Sequence, residues 1–77
     1  MPNVEHYTRP TGASAGEPVF SGVVGAAPTI KEARELAAEL AAEHDEPADK
    51  ADCYDKEQDH WWGQNMGDTV VHIYVVR

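Results

Sequence analysis

The chain has 77 residues, of which 42% are hydrophobic and 26% charged, and its net charge is −8. This length allows one small domain with a modest core, and the composition is too apolar for a wholly disordered protein. The acidity argues against direct binding to nucleic acid or to an anionic membrane surface.

Cys53 is the only cysteine, so neither an internal disulfide nor a cysteine-based zinc site is possible within the chain. Residues 1–10 lack the apolar stretch of a signal peptide, and no apolar run approaches the ~20 residues of a membrane span. We therefore expect a cytoplasmic protein with no contact to membranes, and no motif indicates a cofactor.

The predicted elements begin with two short strands, at residues 4–9 and 19–24, joined by a loop over residues 11–18. Gly22 lies inside the second strand, where it predicts a bulge or a close backbone approach.

A helix is predicted to start after Thr29, which forms a Thr-x-x-Glu capping box with Glu32, and to stop near Asp45 because Pro47 follows. Apolar or weakly polar residues recur at helical spacing on one face. They are Ile30, Ala33, Leu36, Ala37, Leu40, Ala41 and His44.

Three segments follow the helix. Residues 51–57 alternate weakly, as in an edge strand; residues 59–68 are rich in turn formers; residues 69–77 are apolar on both faces, which is typical of a central strand. The sequence thus predicts an α+β fold of order β-β-α-β-β over residues 1–77, with a single helix packed on a small antiparallel sheet of three to four strands.

Residues 43–59 contain eight acidic and two basic residues, so this segment accounts for six of the eight net negative charges. On the helix, Glu32, Glu35, Glu39 and Glu43 form an acidic stripe that leads into it. Such a pattern indicates either a solvated surface that keeps a small protein soluble or a docking surface for a partner's Lys and Arg. A calcium loop is disfavoured because no register supplies the glycine required at its sixth position.

Trp61 and Trp62 are adjacent, so in an extended chain one would fill the core while the other points away. Both can be structural. Alternatively, one is an exposed anchor, because tryptophan beside acids binds Lys or Arg through cation–π contact and charge.

Catalytic motifs are absent from the sequence. Neither Ser14 nor Ser21 lies in a nucleophile elbow, the acids around Cys53 disfavour its thiolate, and no phosphate-binding glycine loop occurs. A metal-dependent activity would need His6, His60, His72 and an aspartate to converge in the fold. We therefore expect a protein that is not an enzyme.

The sequence predicts an acidic protein that occludes a basic, nucleic-acid-binding surface of a partner protein. The predicted partner-binding residues are Glu35, Glu39, Glu43, Asp45, Glu46, Asp49, Asp52, Asp55, Glu57, Asp59, Trp61 and Trp62. In size, acidity and layout the chain resembles the small inhibitors that phages and mobile elements make against host nucleic-acid machinery, including anti-CRISPR proteins and DNA mimics. The resemblance implies a nucleic-acid-binding complex as target and transfers no residue.

An alternative is a small accessory domain that forms a homodimer, or adds a strand to a partner's sheet, through residues 69–77.

Overall fold

The computed structural model describes residues 1–11, 16–46 and 50–77, and of Lys50 and Ala51 only the backbone. The described chain forms one α-helix and a five-stranded antiparallel sheet, an α+β arrangement. The elements are β1 (Asn3–Pro10), β2 (Val19–Ala26), α1 (Ile30–Ala42), a 3-10 turn (Lys50–Cys53), β3 (Tyr54–Asp55), β4 (His60–Gly63) and β5 (Val70–Val76).

The strands are ordered β2-β1-β5-β4-β3 across the sheet. The α+β class and the central position of the last strand are confirmed. The predicted count of three to four strands is wrong, because the segment expected to be turn-rich contains β4. Trp61 and Trp62 pair there with Tyr74 and Ile73 of β5, which outweighs the turn formers that follow. The edge strand expected at residues 51–57 is reduced to the 3-10 turn and the two residues of β3.

Strands β1 and β2 pair with two shifts of register, one of them where Gly22 lies opposite His6. The backbone φ of Gly22 is 147°, in the region that favours glycine. The predicted bulge is therefore confirmed.

The start of α1 is also confirmed, since the Thr29 hydroxyl accepts a hydrogen bond of 3.2 Å from the backbone N–H of Glu32. Its buried stripe consists of Ala33, Ala37 and Ala41. Two predicted core-facing positions differ from expectation. Ile30, at the first helical position, is 64% exposed, and His44 lies just beyond the last turn because Glu43 is the C-cap.

The alanine stripe allows the helix to lie close to the sheet, and Gly63 of β4 completes the contact. A Cβ at Gly63 would lie 2.5 Å from the carbonyl oxygen of Ala41 and 2.5 Å from Cδ2 of His44, too near for any side chain. Around this contact the core is closed by residues from both layers. They include Val4, Cys53, Trp61 and Tyr74.

The sheet has two unlike faces. One is covered by α1, which packs mainly against β5 and β4. The other, here called the open face because α1 does not cover it, carries the alternate side chains of the same strands, including Tyr7, Arg9 and Trp62 around the buried Ile73. No helix in the described part of the chain is long and apolar enough to cross a membrane.

Candidate functional site

The solvent side of α1 carries three glutamates, Glu35, Glu39 and Glu43, here called the acidic ridge. Each lies two residues after a member of the buried stripe, which is 200° around a helix with 100° per residue. The ridge therefore points almost directly away from the sheet, and all three glutamates are exposed. Successive carboxylates are about 6 Å apart along the axis.

No glutamate of the acidic ridge forms an ion pair among the described residues, whose ion pairs all involve other acids. The last turn of α1 contains no basic residue either. Glutamates at i, i+4 repel one another, and an acid at the C-terminal end of a helix opposes its dipole. These effects disfavour the helix, and Lys31, four residues before Glu35, is placed to offset part of them.

Asp45 and Glu46 extend the acidic surface past the end of the helix. Glu46 and Gln64 exchange backbone hydrogen bonds of 2.9 and 2.7 Å, and the Asp45 carboxylate accepts one of 2.9 Å from the N–H of Met66. These bonds fix the chain after α1 to the connection between β4 and β5. Asp45 and Glu46 both remain exposed.

The remaining acidic residues of the predicted site differ in their exposure and in their contacts. Asp52 and Glu57 are exposed near the β3 edge. Asp55 is half-buried and accepts hydrogen bonds from the N–H groups of Glu57 and Gln58, at 3.0 and 3.2 Å, so it organises the turn after β3. Asp49 lies outside the described residues.

Asp59 and Trp61 are engaged within the protein by Arg34. The guanidinium carbon of Arg34 lies 4.8 Å from the centre of the Trp61 ring, and its Nη1 donates to Asp59 at 3.1 Å. The Tyr54 hydroxyl also donates to Asp59, at 2.6 Å, and these two bonds lower the pKa of the Asp59 carboxyl. Trp61 is only 5% exposed. The prediction of Trp61 as an exposed anchor is wrong, because the chain supplies its own arginine to this ring.

Trp62 lies on the open face, as strand alternation requires once Trp61 enters the core. It borders a groove of about 510 Å³ whose lining includes Arg9, His60 and Ile73. The expectation that one tryptophan fills the core and the other points away is confirmed. Trp62 is half-buried and on the opposite side of the sheet from the acidic ridge, so the two cannot form one flat contact surface.

Between helix and sheet lies a group that the sequence did not reveal as a unit, the histidine cluster of His6, His44 and His72. The rings of His44 and His72 stack with centroids 4.5 Å apart, and those of His6 and His72 at 5.1 Å. His6 Nε2 and His72 Nδ1 share a hydrogen bond of 2.9 Å, and Asp68 lies 3.5 Å from His72 Nε2.

His44 joins this cluster to the end of the helix. Its Nδ1 donates to Asn65 Oδ1 at 3.1 Å, so in the neutral ring its Nε2 accepts from the Tyr74 hydroxyl at 2.6 Å. Burial lowers the pKa of His6, with His72 and His44 adding to the effect. Burial, followed by the charge of Glu43, raises the pKa of Tyr74.

The histidine cluster differs from the metal site considered from the sequence. His6 and His72 converge with Asp68 nearby, but His60 lies on the open face. Among residues 1–11, 16–46 and 50–77, no group of three or more His, Cys, Asp or Glu is arranged to hold a metal ion. His6 and His72 lie on the same face of the sheet because β1 pairs with β5 in this register. The sequence could have predicted their proximity only if that register had been known.

Comparison of the chain with protein-family models, curated proteins and solved structures returned no match.

Proposed function

We propose that this chain is a non-enzymatic acidic binding protein that covers the basic, nucleic-acid-binding surface of a partner protein in the cytoplasm. The observation that carries the proposal is the acidic ridge. It presents three exposed carboxylates in a row that form no ion pair among the described residues, and like charges at this spacing disfavour a helix.

The proposed contact surface begins on the acidic ridge and continues onto Asp45 and Glu46, which the β4–β5 connection holds in place. Carboxylates about 6 Å apart are sparser than the charges of duplex DNA, which occur every ~1.7 Å of axis. The surface would therefore complement the charge of one basic groove on a partner and would not imitate a long stretch of duplex DNA.

Binding through this surface is expected to depend mainly on charge. Trp61 is buried beneath Arg34, and Trp62 is on the far side of the sheet, so neither supplies an aromatic anchor beside the ridge. Exposed charges steer the encounter and are screened by salt, with a Debye length of ~10 Å at 0.1 M. The affinity for the partner should therefore fall strongly as the salt concentration rises.

The non-enzymatic part of the proposal is supported by the position of Cys53, the best nucleophile in the chain. Its side chain is fully buried in the core and cannot reach a substrate. It fits the description of a small buried hydrophobic residue.

The proposal is tested by capturing partners from a bacterial lysate on the immobilised chain, at low and at high salt. The ridge variant Glu39→Gln/Glu43→Gln removes two negative charges. The matched control Glu17→Lys changes the net charge by the same amount at an exposed position before β2.

Wild type and Glu17→Lys should retain the same basic, nucleic-acid-binding protein at low salt and release it at high salt, whereas the ridge variant should retain much less. Equal capture by all three, or partners that lack a basic surface and resist salt, would reject the proposal.

A further inference from the structure

Strand β2 forms one edge of the sheet and is unlike the rest of the surface. It pairs with β1 alone, so along its eight residues the outward backbone N–H and C=O groups have no strand partner in the described chain. Four of its side chains are large, apolar and exposed. They are Val19 at 63%, Phe20 at 54%, Val23 at 55% and Val24 at 46%.

The other edge of the sheet is protected in the way natural proteins protect edges. Strand β3 has only two residues, one of them Asp55, and exposed Asp52 and Glu57 lie beside it. Short length and charge both discourage pairing with another strand. Strand β2 has neither protection, and its bulges are the only device of this kind that it carries.

The identity of the pairing strand follows from charge. A protein of net charge −8 repels its own copies over most of its surface, and β2 is a long exposed segment without an ionisable side chain. Two copies can therefore approach along this edge without bringing like charges together, and its exposed apolar side chains complement the same residues of a second copy. Antiparallel pairing about a two-fold axis brings the same apolar residues together from both sides.

We propose that two copies of the chain associate through β2, edge to edge and antiparallel, to form one continuous sheet of ten strands. Phe20 packs on Tyr7 on the open face, with the ring centroids 5.4 Å apart. The contact between the two β2 strands would therefore extend an apolar surface that each copy already has.

The geometry of this dimer keeps the acidic surfaces apart. Strands lie about 4.8 Å apart, so the two β3 edges would be about 40 Å from each other. The helices pack over β5 and β4, the third and fourth strands from the joint, which separates the two acidic ridges laterally by more than about 20 Å. Both separations exceed the Debye length of ~10 Å. The dimer therefore has two acidic surfaces and little mutual repulsion.

Self-association through the C-terminal strand, the alternative suggested by the sequence, does not fit the order of the sheet. Strand β5 lies between β1 and β4, so both of its edges are already paired, and it cannot add a strand without opening the sheet.

The test is the mass in solution, by sedimentation velocity over a range of concentrations, for wild type, Val23→Glu and Ile30→Glu. Ile30 is the matched control because it is also a β-branched apolar residue, 64% exposed against 55% for Val23, and lies on α1 rather than on β2. Wild type and Ile30→Glu should reach twice the chain mass of 8.4 kDa, whereas Val23→Glu should need at least tenfold more protein to do so.

Raising the salt concentration should leave the wild-type dimer intact or strengthen it, because salt screens the repulsion between copies. A wild-type chain that stays monomeric at every concentration, or a dimer unaffected by Val23→Glu, would overturn the proposal.

A second measurement avoids substitution altogether. Amide hydrogen exchange of the wild-type chain should slow along β2 as concentration rises, while exchange along β3 stays constant. Equal rates along β2 at all concentrations would overturn the proposal as well.

Discussion

Arg34 determines what its neighbours Trp61 and Asp59 contribute. In the sequence, a tryptophan beside acidic residues is typical of a site for a partner's arginine. In the fold, Arg34 itself occupies that position, over the Trp61 ring and bonded to Asp59 and Tyr54. The interaction is therefore part of the tertiary structure, and it removes Asp59 from the unpaired acidic surface.

Replacing Arg34 should destabilise the protein modestly. We expect Arg34→Ala to lower the free energy of unfolding by about 0.5–1 kcal/mol, the range for a cation–π contact at a partly exposed site. Denaturant unfolding followed by tryptophan fluorescence measures this. Lys31→Ala, on the same helix at an exposed position, is the control and should leave the midpoint unchanged. Equal stability of the two variants would contradict this role of Arg34.

At the scale of elements, the distance between helix and sheet depends on small residues on both layers. Gly63→Ala would force a Cβ against the Ala41 carbonyl and the His44 ring, and such overpacking typically costs about 1–3 kcal/mol. The free energy of unfolding should fall by that amount. Gly16→Ala is the control, because a Cβ there meets nothing within 4 Å. A fully stable Gly63→Ala variant would show that the two layers can separate without loss.

The helix also provides a test of the acidic ridge that needs no partner. Glu43→Gln should raise the free energy of unfolding by about 0.3–1 kcal/mol, because it removes a negative charge from the negative end of the helix dipole. Glu32→Gln, in the first turn, should act in the opposite direction. Thermal unfolding of both variants shows whether each substitution raises or lowers the stability of the protein. Destabilisation by Glu43→Gln would mean that the ridge serves folding rather than binding.

Local patterns allowed the sequence to predict most elements but not their arrangement. The cap at Thr29, the alanine period and the apolar run of the last strand each depend on neighbours in sequence, and all three are confirmed. Strand β4 was missed because the tryptophans are strand formers only in pairing with β5. The site was predicted as one surface because nothing in the sequence shows that Arg34 reaches Trp61.

At the scale of the whole molecule, charge and apolar surface are segregated. The acidic ridge and the β3 edge carry exposed acids, of which Glu35, Glu39, Glu43, Asp52 and Glu57 form no ion pair within the described part of the chain. The β2 edge is uncharged, and the histidine cluster lies between the helix and the sheet. Because His44 lies directly after α1, the cluster connects the end of the acidic ridge to β1 and β5.

This position of the histidine cluster predicts a loss of stability in mild acid. Burial lowers the pKa of His6 from 6.5, and the neighbouring His72 and His44 lower it further. Well above pH 6.5, His6 is neutral in both the folded and the unfolded state, so its protonation does not lower the stability of the fold. Below that pH the unfolded chain takes up protons that the folded chain resists, so stability falls.

Denaturant midpoints measured between about pH 7.5 and pH 5.5 test this, with titration of histidine near 6.5 as the cause. His6→Gln should show a shallower decline over that range than wild type, whatever its absolute stability. An identical slope for the two proteins would contradict the role assigned to His6.

The most direct test of the proposed function is competition for the captured partner. The partner is first bound to a fluorescent nucleic acid, and the chain is then titrated at low salt. The wild-type chain and Glu17→Lys should displace the nucleic acid, the ridge variant Glu39→Gln/Glu43→Gln should do so at least several-fold less well, and high salt should abolish the difference. Nucleic acid that stays bound while the chain binds elsewhere on the partner would contradict occlusion by the acidic ridge.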